Sequence, residues 1–193
     1  MGIIVALESI VEPIRPDRLF PSIQPIEIEL GAGDGGFLVE WATLENGHNF
    51  IGVERLLGRL RKIERKSVRR GLTNVRAVRI EASYFLRYLV PNQAVSVLHV
   101  YFPDPWPKRK HWRHRLVNDQ FPALASRVLR PGGIVYLRTD HEEYFAQMNR
   151  VFIAHGGFVT RETPAQLTAV PTDFERDFLA AGMGIFRAAF QLG

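Results

Sequence analysis

Short apolar runs alternate with amphipathic segments along almost the whole chain, and glycine, asparagine or proline punctuates the changeovers. The first run, Ile26-Glu27-Ile28-Glu29-Leu30, alternates apolar and acidic residues and then meets Gly31-Ala32-Gly33-Asp34-Gly35-Gly36. Period-two alternation predicts a strand, and the glycines a sharp turn at its end. Phe37 to Leu44 predicts a helix closed near Asn46-Gly47, and Asn49 to Val53 the next strand. Between Arg55 and Arg70, Leu56, Leu60, Ile63 and Ser67 fall at helical spacing and make one narrow apolar stripe, with Gly71 placed to end the helix. Further strands are predicted at Val75 to Ile80, Ala94 to Tyr101, Ile134 to Leu137, Phe158 to Arg161 and Gly184 to Phe190, the last two as an antiparallel pair. Helices are predicted at Tyr84 to Leu89, Asn118 to Leu129 and His141 to His155. Strands that alternate with helices must pair mainly in parallel, because each helix carries the chain back across the sheet. The expected fold is therefore α/β, a mostly parallel seven-stranded sheet with helices on both faces. No repeat or linker divides the chain, so a single domain is expected over 26–193, preceded by an N-terminal extension over 1–25.

Charge narrows the partners. The chain has 193 residues and a formal net charge of +5, which as a total decides little. Its placement is uneven. Arg55, Arg59, Arg61, Lys62, Arg65, Lys66, Arg69 and Arg70 form one basic cluster, and Lys108-Arg109-Lys110-His111-Trp112-Arg113-His114-Arg115 a second. Together they hold 13 of the 25 Lys and Arg residues, leaving the rest of the chain net acidic. An anionic macromolecule is the partner such patches suit. Two solvated surfaces are the plainer alternative.

With no cysteine there is no disulfide framework, thiolate zinc site or cysteine nucleophile, which suits a reducing compartment. The opening Met1 to Leu7 is too short to span a bilayer, has no basic region before it and meets Glu8 at once. A cytoplasmic chain without membrane attachment is expected, with a monomer as the default. The 6 His residues show no metal-ligand spacing, and no metal is expected.

Gly31, Gly33 and Gly36 satisfy the spacing G-x-G-x-x-G, and Glu54 ends the following strand, where an acid can accept from ribose hydroxyls. The pattern alone does not separate a nicotinamide cofactor from S-adenosylmethionine, and a structural turn is a third reading. Glu29 favours S-adenosylmethionine: a carboxylate there can pair with a methionine ammonium but would repel a pyrophosphate. The run Tyr101-Phe102-Pro103-Asp104-Pro105-Trp106-Pro107-Lys108 places a carboxylate just beyond a strand end, in a loop stiffened by three prolines and followed by the second basic cluster. Asp140 follows the fifth predicted strand and also suits the first turn of a helix. Thr172 to Glu175 has the spacing of a capping box.

Taken together, Glu29-x-Gly-x-Gly, Gly52-Val53-Glu54, Asp104-Pro105-Trp106-Pro107-Lys108, His111 to Arg115, Thr139-Asp140 and Thr172-Asp173-Phe174-Glu175 resemble the bacterial tRNA (guanine-N7-)-methyltransferase family over residues 26 to 190. The resemblance implies a Rossmann-like class I methyltransferase fold, S-adenosyl-L-methionine as cofactor and tRNA as partner, with the variable-loop guanosine, position 46 in tRNA numbering, as the target. It implies cofactor binding by Glu29, Gly31, Gly33, Glu54, Glu81 and Asp104, with Asp104 also catalytic, and substrate binding by Lys108, Asp140, Thr172 and Glu175. Arg109, Lys110, Arg113 and Arg115 are expected along the RNA backbone. Glu81 departs from the aspartate usual in the family. Three alternatives stay open: a methyltransferase of this fold acting on another RNA or a small molecule, a nicotinamide oxidoreductase, and a non-catalytic basic RNA-binding protein with a vestigial pocket. No Tyr-x-x-x-Lys relay supports the oxidoreductase, and a pure binder would not require Glu29, Glu54 and Asp104 together.

Overall fold

The computed structural model describes residues 2–193. Strand β1 is Ile4–Val5, followed by the one-turn helix α1, Pro16–Leu19. Three strand–helix units come next: β2 (Ile26–Leu30) with α2 (Gly36–Leu44), β3 (Asn49–Glu54) with α3 (Leu57–Arg69), and β4 (Val75–Arg79) with α4 (Ala82–Tyr84). Two more are β5 (Val95–Tyr101) with α5 (Phe121–Val128), and β6 (Leu129–Thr139) with α6 (Glu142–His155). The chain closes with β7 (Phe158–Arg161), α7 (Ala165–Thr168), α8 (Asp173–Ala180) and β8 (Phe186–Leu192).

All strands join one sheet in the order β1-β4-β3-β2-β5-β6-β8-β7. Strands β1 to β6 pair in parallel, and β8 runs antiparallel between β6 and β7. The sheet has eight strands where seven were expected. The addition is β1, which pairs Ile4 and Val5 with Ala77 and Val78 at the edge, within the segment expected as an extension. Two residues carry no periodicity, so only pairing reveals this strand. Strand β6 also starts earlier than expected: Val95 pairs with Leu129 and Val97 with Ile134, so Pro131-Gly132-Gly133 lies in a bulge rather than between elements.

Each helix is placed by the stripe it buries. Helix α3 puts Leu60, Ile63 and Ser67 inward, as its spacing predicts. Helix α6 buries Tyr144, Met148, Val151 and Phe152, with Phe152 stacked on Phe190 of β8 at 4.4 Å between ring centroids. Each Leu, Ile, Val, Met or Phe among them contributes about 1.5–3 kcal/mol on burial. No helix among the described residues is long and apolar enough to cross a membrane.

The two faces of the sheet differ in chemistry. Ile28, Leu30, Leu98, Val100, Val135 and Leu137 pack with α5 and α6 into an apolar core. The opposite face carries Glu27, Glu29, His99, Tyr101 and Arg138, all nearly inaccessible to water. Burying polar groups is tolerable only when they bond to one another. Glu27 accepts from Trp41 Nε1 at 3.0 Å and from His99 Nε2 at 2.7 Å, and pairs with His48 Nδ1. His99 Nδ1 meets the Tyr101 hydroxyl at 2.7 Å, so one consistent pattern has Tyr101 donating to His99 and His99 donating to Glu27.

Burial pushes the Glu27 carboxyl upward, but the bonds from His48, His99 and Trp41 outweigh it and hold it at about 2, below the ordinary 4.5. A carboxyl lower in the folded than in the unfolded chain stabilises fully above the unfolded value, and that stabilisation disappears as pH falls through the folded value. The network therefore supplies roughly 3 kcal/mol at neutral pH that is lost between about pH 5 and pH 2. Urea unfolding of Glu27→Gln should show a lower midpoint than wild type at pH 7 and a flatter decline between pH 6 and pH 3.5. Parallel declines in the two proteins would remove Glu27 as the source of acid sensitivity.

Candidate active site

The sheet order reverses beside β2, which pairs with β3 on one side and β5 on the other. Such a switch point leaves a crevice beyond the carboxyl ends of the two strands, where open α/β sheets bind ligands. A pocket of about 240 Å³ lies there, lined by Glu29, Gly31 and Gly33 from the β2 end, Tyr101 and Phe102 from the β5 end, and Thr172, Asp173 and Phe174 from the start of α8.

Gly31 and Gly33 adopt φ of 80° and 54°, the left-handed region that favours glycine. A Cβ at either would meet nothing within 4 Å, so the turn itself requires glycine and the backbone stays open to the pocket. Gly33 N–H donates to Glu54 Oε2 at 3.1 Å, and Leu56 N–H to Glu54 Oε1 at 2.9 Å. Glu54 thus braces the glycine turn from the end of β3, outside the pocket lining.

Glu29 lines the pocket and is buried, and its Oε2 has no hydrogen-bond partner among the described residues. Burial drives its carboxyl well above the ordinary value; Arg138 partly opposes this, while Asp173 and Glu54 add to it. A buried carboxyl with one unpartnered oxygen at a ligand crevice is a costly arrangement that a cationic group would relieve. Acids and bases alternate around the rim: Asp34 pairs with Lys62 at 2.7 Å, and Asp173 with Arg176 at 2.8 Å and Lys66 at 3.5 Å.

Asp104 is exposed in the loop that follows β5, two residues beyond the pocket-lining Phe102. Phe102 and Trp106, which flank this loop, have φ of 49° and 43°. Non-glycine residues held there cost about 1–3 kcal/mol each, and such strain persists only where surroundings enforce it. Phe102 N–H donates to Arg138 O at 2.8 Å, and the middle of the loop is held by Arg115. Arg115 was expected on the RNA backbone, and the structure corrects that: its guanidinium is buried. Arg115 Nε donates to Pro105 O at 2.7 Å, its terminal nitrogens bond Glu143 and Gln147 of α6, and the group lies over the rings of Trp112 and Tyr144. Four of its five N–H donors are engaged and the group is shielded from water, which leaves it poorly placed to meet a phosphate. Lys108, Arg109, Lys110 and Arg113 are exposed beside it, the last three on a 3₁₀ segment over Arg109–His114.

The remaining expected residues are dispersed. Thr172 caps α8 and lines the pocket. Glu175 completes the capping box but is buried, bonded to Arg138 at 2.7 Å and also to Arg187. Asp140 is half-buried at the end of β6, outside the pocket lining. Glu81, beyond β4, uses both oxygens to cap α4, accepting from Ser83 N at 2.9 Å and Tyr84 N at 2.7 Å. Asp34, Phe102 and Asp173 line the pocket without having been singled out as site residues. Asp34 stood within the glycine run and Asp173 between the two capping positions, so each had a sequence signal. No group of three or more His, Asp or Glu residues suited to a metal occurs among the described residues.

A family model described as “Putative methyltransferase” matches residues 23–188. A tRNA (guanine-N(7)-)-methyltransferase of Alcanivorax borkumensis is 31% identical over 183 residues, spanning 92% of this chain and 77% of the relative. One of Deinococcus radiodurans is 33% identical over 181 residues, spanning 92% of this chain and 56% of the relative. Among solved structures, the 16S rRNA methyltransferase KamB superposes with a TM-score of 0.66 at 17% identity, covering 92% of each chain, a likeness of fold.

Arg115→Lys separates a buried clamp from a surface contact. Lysine keeps the charge but not the planar fork, so urea unfolding should lose about 2–4 kcal/mol of stability. A surface arginine changed in the same way stays within about 0.5 kcal/mol, and that smaller result would restore an outward role for Arg115.

Proposed function

The chain belongs to the tRNA (guanine-N7-)-methyltransferase family, and from that premise we propose that it transfers the methyl group of S-adenosylmethionine directly to N7 of a guanosine in tRNA, in the cytoplasm. The observation that carries the cofactor reading is Glu29, a buried carboxyl with one unpartnered oxygen beside a glycine turn at the sheet's switch point. This donor set fits a ligand bearing an ammonium and disfavours a pyrophosphate. Glu29 would hold the methionine ammonium, and the open backbone of Gly31 and Gly33 would let the ligand approach closely. Glu54 would accept from ribose hydroxyls, and Glu81 remains a cofactor candidate at the neighbouring strand end. Bound S-adenosylmethionine supplies an electrophilic methyl on a sulfonium.

Guanine N7 carries a lone pair and no proton, so the reacting atom needs no base. The protein's work is positioning. Positive charge arrives on the guanine ring as N7 is alkylated, and a carboxylate that accepts from N1–H and N2–H stabilises it. Asp104 takes that role, in a loop that Arg115 clamps against α6, with Asp140 as its helper. Lys108 holds the nucleotide, Thr172 contacts it from the pocket wall, and Glu175 keeps that wall in place. Arg109, Lys110 and Arg113 hold phosphates electrostatically, so binding should weaken as salt rises.

Unmodified tRNA transcript incubated with methyl-labelled S-adenosylmethionine should take up label. Asp104→Asn should bind both substrates while turnover drops at least about 100-fold. Near-normal turnover in that variant would end the assignment.

Glu29 generates a second expectation. Its raised value in the free protein must fall when a cation docks, so cofactor binding should release protons and tighten as pH rises through the interval between the two values. Calorimetry with S-adenosylhomocysteine in buffers of different ionisation enthalpy reads this directly. Proton release by wild type, lost with affinity in Glu29→Gln, is the expected result; binding without protons moving would contradict it.

A further inference from the structure

A second concavity adjoins the active site. It is a groove of about 330 Å³ between α2, α3 and α8, lined by Gly36, Val39, Glu40, Lys66, Arg69, Arg70, Asp173 and Arg176. Gly36 and Asp173 also line the cofactor pocket, so the two share a wall. Four cations from two helices converge on this groove against two carboxylates. The acids do not neutralise it: Asp173 is shared between Lys66 and Arg176, and Glu40 pairs with Arg176 alone. Arg70 bonds only neutral acceptors, Val39 O and Thr43 Oγ1, and Arg69 is exposed and in no ion pair among the described residues.

Basic residues in the last turn of α3 also suit that helix's own dipole, which accounts for Lys66 and Arg69 without any ligand. It does not account for Arg176, which arrives from α8, or for the concavity around which all four gather. The far end of α3 behaves differently, because Arg59 and Lys62 are already engaged at the cofactor rim by Asp34. Arg61 and Arg65 are exposed on α3 and in no ion pair among the described residues, so what sets Lys66, Arg69 and Arg70 apart is the concavity they share with Arg176. Walls of low dielectric concentrate the field of such a cluster on an anion. The half-exposed pairs to Asp173 are weak enough for a phosphate to take over.

We propose that this groove seats a backbone phosphate of the tRNA, next to the nucleotide being methylated and separate from the Lys108 to Arg113 patch. The proposal rests on tRNA being the substrate. Its geometry places the bound phosphate beside Asp173, on the shared wall of the two pockets.

The test measures affinity for unmodified tRNA across a salt series. Arg69→Gln should weaken binding several-fold and lower the slope of log affinity against log salt by about 1, and Arg69→Gln/Arg70→Gln by about 2. Arg61→Gln removes one charge from the same helix outside the groove and should change the slope much less. Unaltered S-adenosylhomocysteine affinity in each variant confirms that the fold is intact. An unchanged slope in the Arg69 variants, or an equal drop in Arg61→Gln, would overturn the seat and leave a diffuse basic field. Failure of the wild type itself to bind tRNA would instead overturn the substrate reading on which the proposal stands.

Discussion

Arg138 is a guanidinium with almost no contact with water, and the active site hangs from it. It bonds Glu175 at 2.7 Å, Val170 O at 2.8 Å and Leu167 O at 2.6 Å, and lies over the rings of Tyr101 and Phe37. Taking a charge out of water costs several kcal/mol unless its partners are well placed. Here the partners come from the segment between β7 and β8, so the cation in the sheet dictates where α7 and α8 lie. That places Thr172, Asp173 and Phe174 opposite the glycine turn. Without this buried pair the crevice at the switch point would lose its α8 wall.

The same face shows how neighbours set the chemistry of identical residues. Glu27 and Glu29 point the same way from β2, two residues apart. Glu27 receives three donors and is held at about 2; Glu29 receives none at Oε2 and is driven upward by burial. Two carboxyls pushed apart in this way take different work. One locks β2, β5 and α2 together. The other stays available to a ligand, at a cost in stability that the rest of the fold carries.

Much of this was legible in the residues themselves. Alternation announced the parallel sheet, the glycine run marked the crevice, and the stripe of α3 put its basic residues outside. The acid before the glycines was readable because the strand period decides which side chains share a face. Other features depend on contacts distant in sequence. In sequence Arg115 resembles its basic neighbours; it is buried because Glu143 and Gln147, on α6, reach it. Helix α8 lies in a proline-containing stretch with only its capping box as a signal, and its depth comes from Arg138, on another strand. The two-residue strand β1 is defined by β4 alone.

Methylation at N7 alters one atom of one nucleotide, and chemical cleavage reads it directly. Borohydride reduction followed by aniline breaks RNA at 7-methylguanosine. A tRNA transcript treated with the protein and S-adenosylmethionine should break once, at the variable-loop guanosine 46, and remain whole when the cofactor is omitted. Methyl label incorporated without any such break would contradict transfer to N7, and a break at another guanosine would contradict the target.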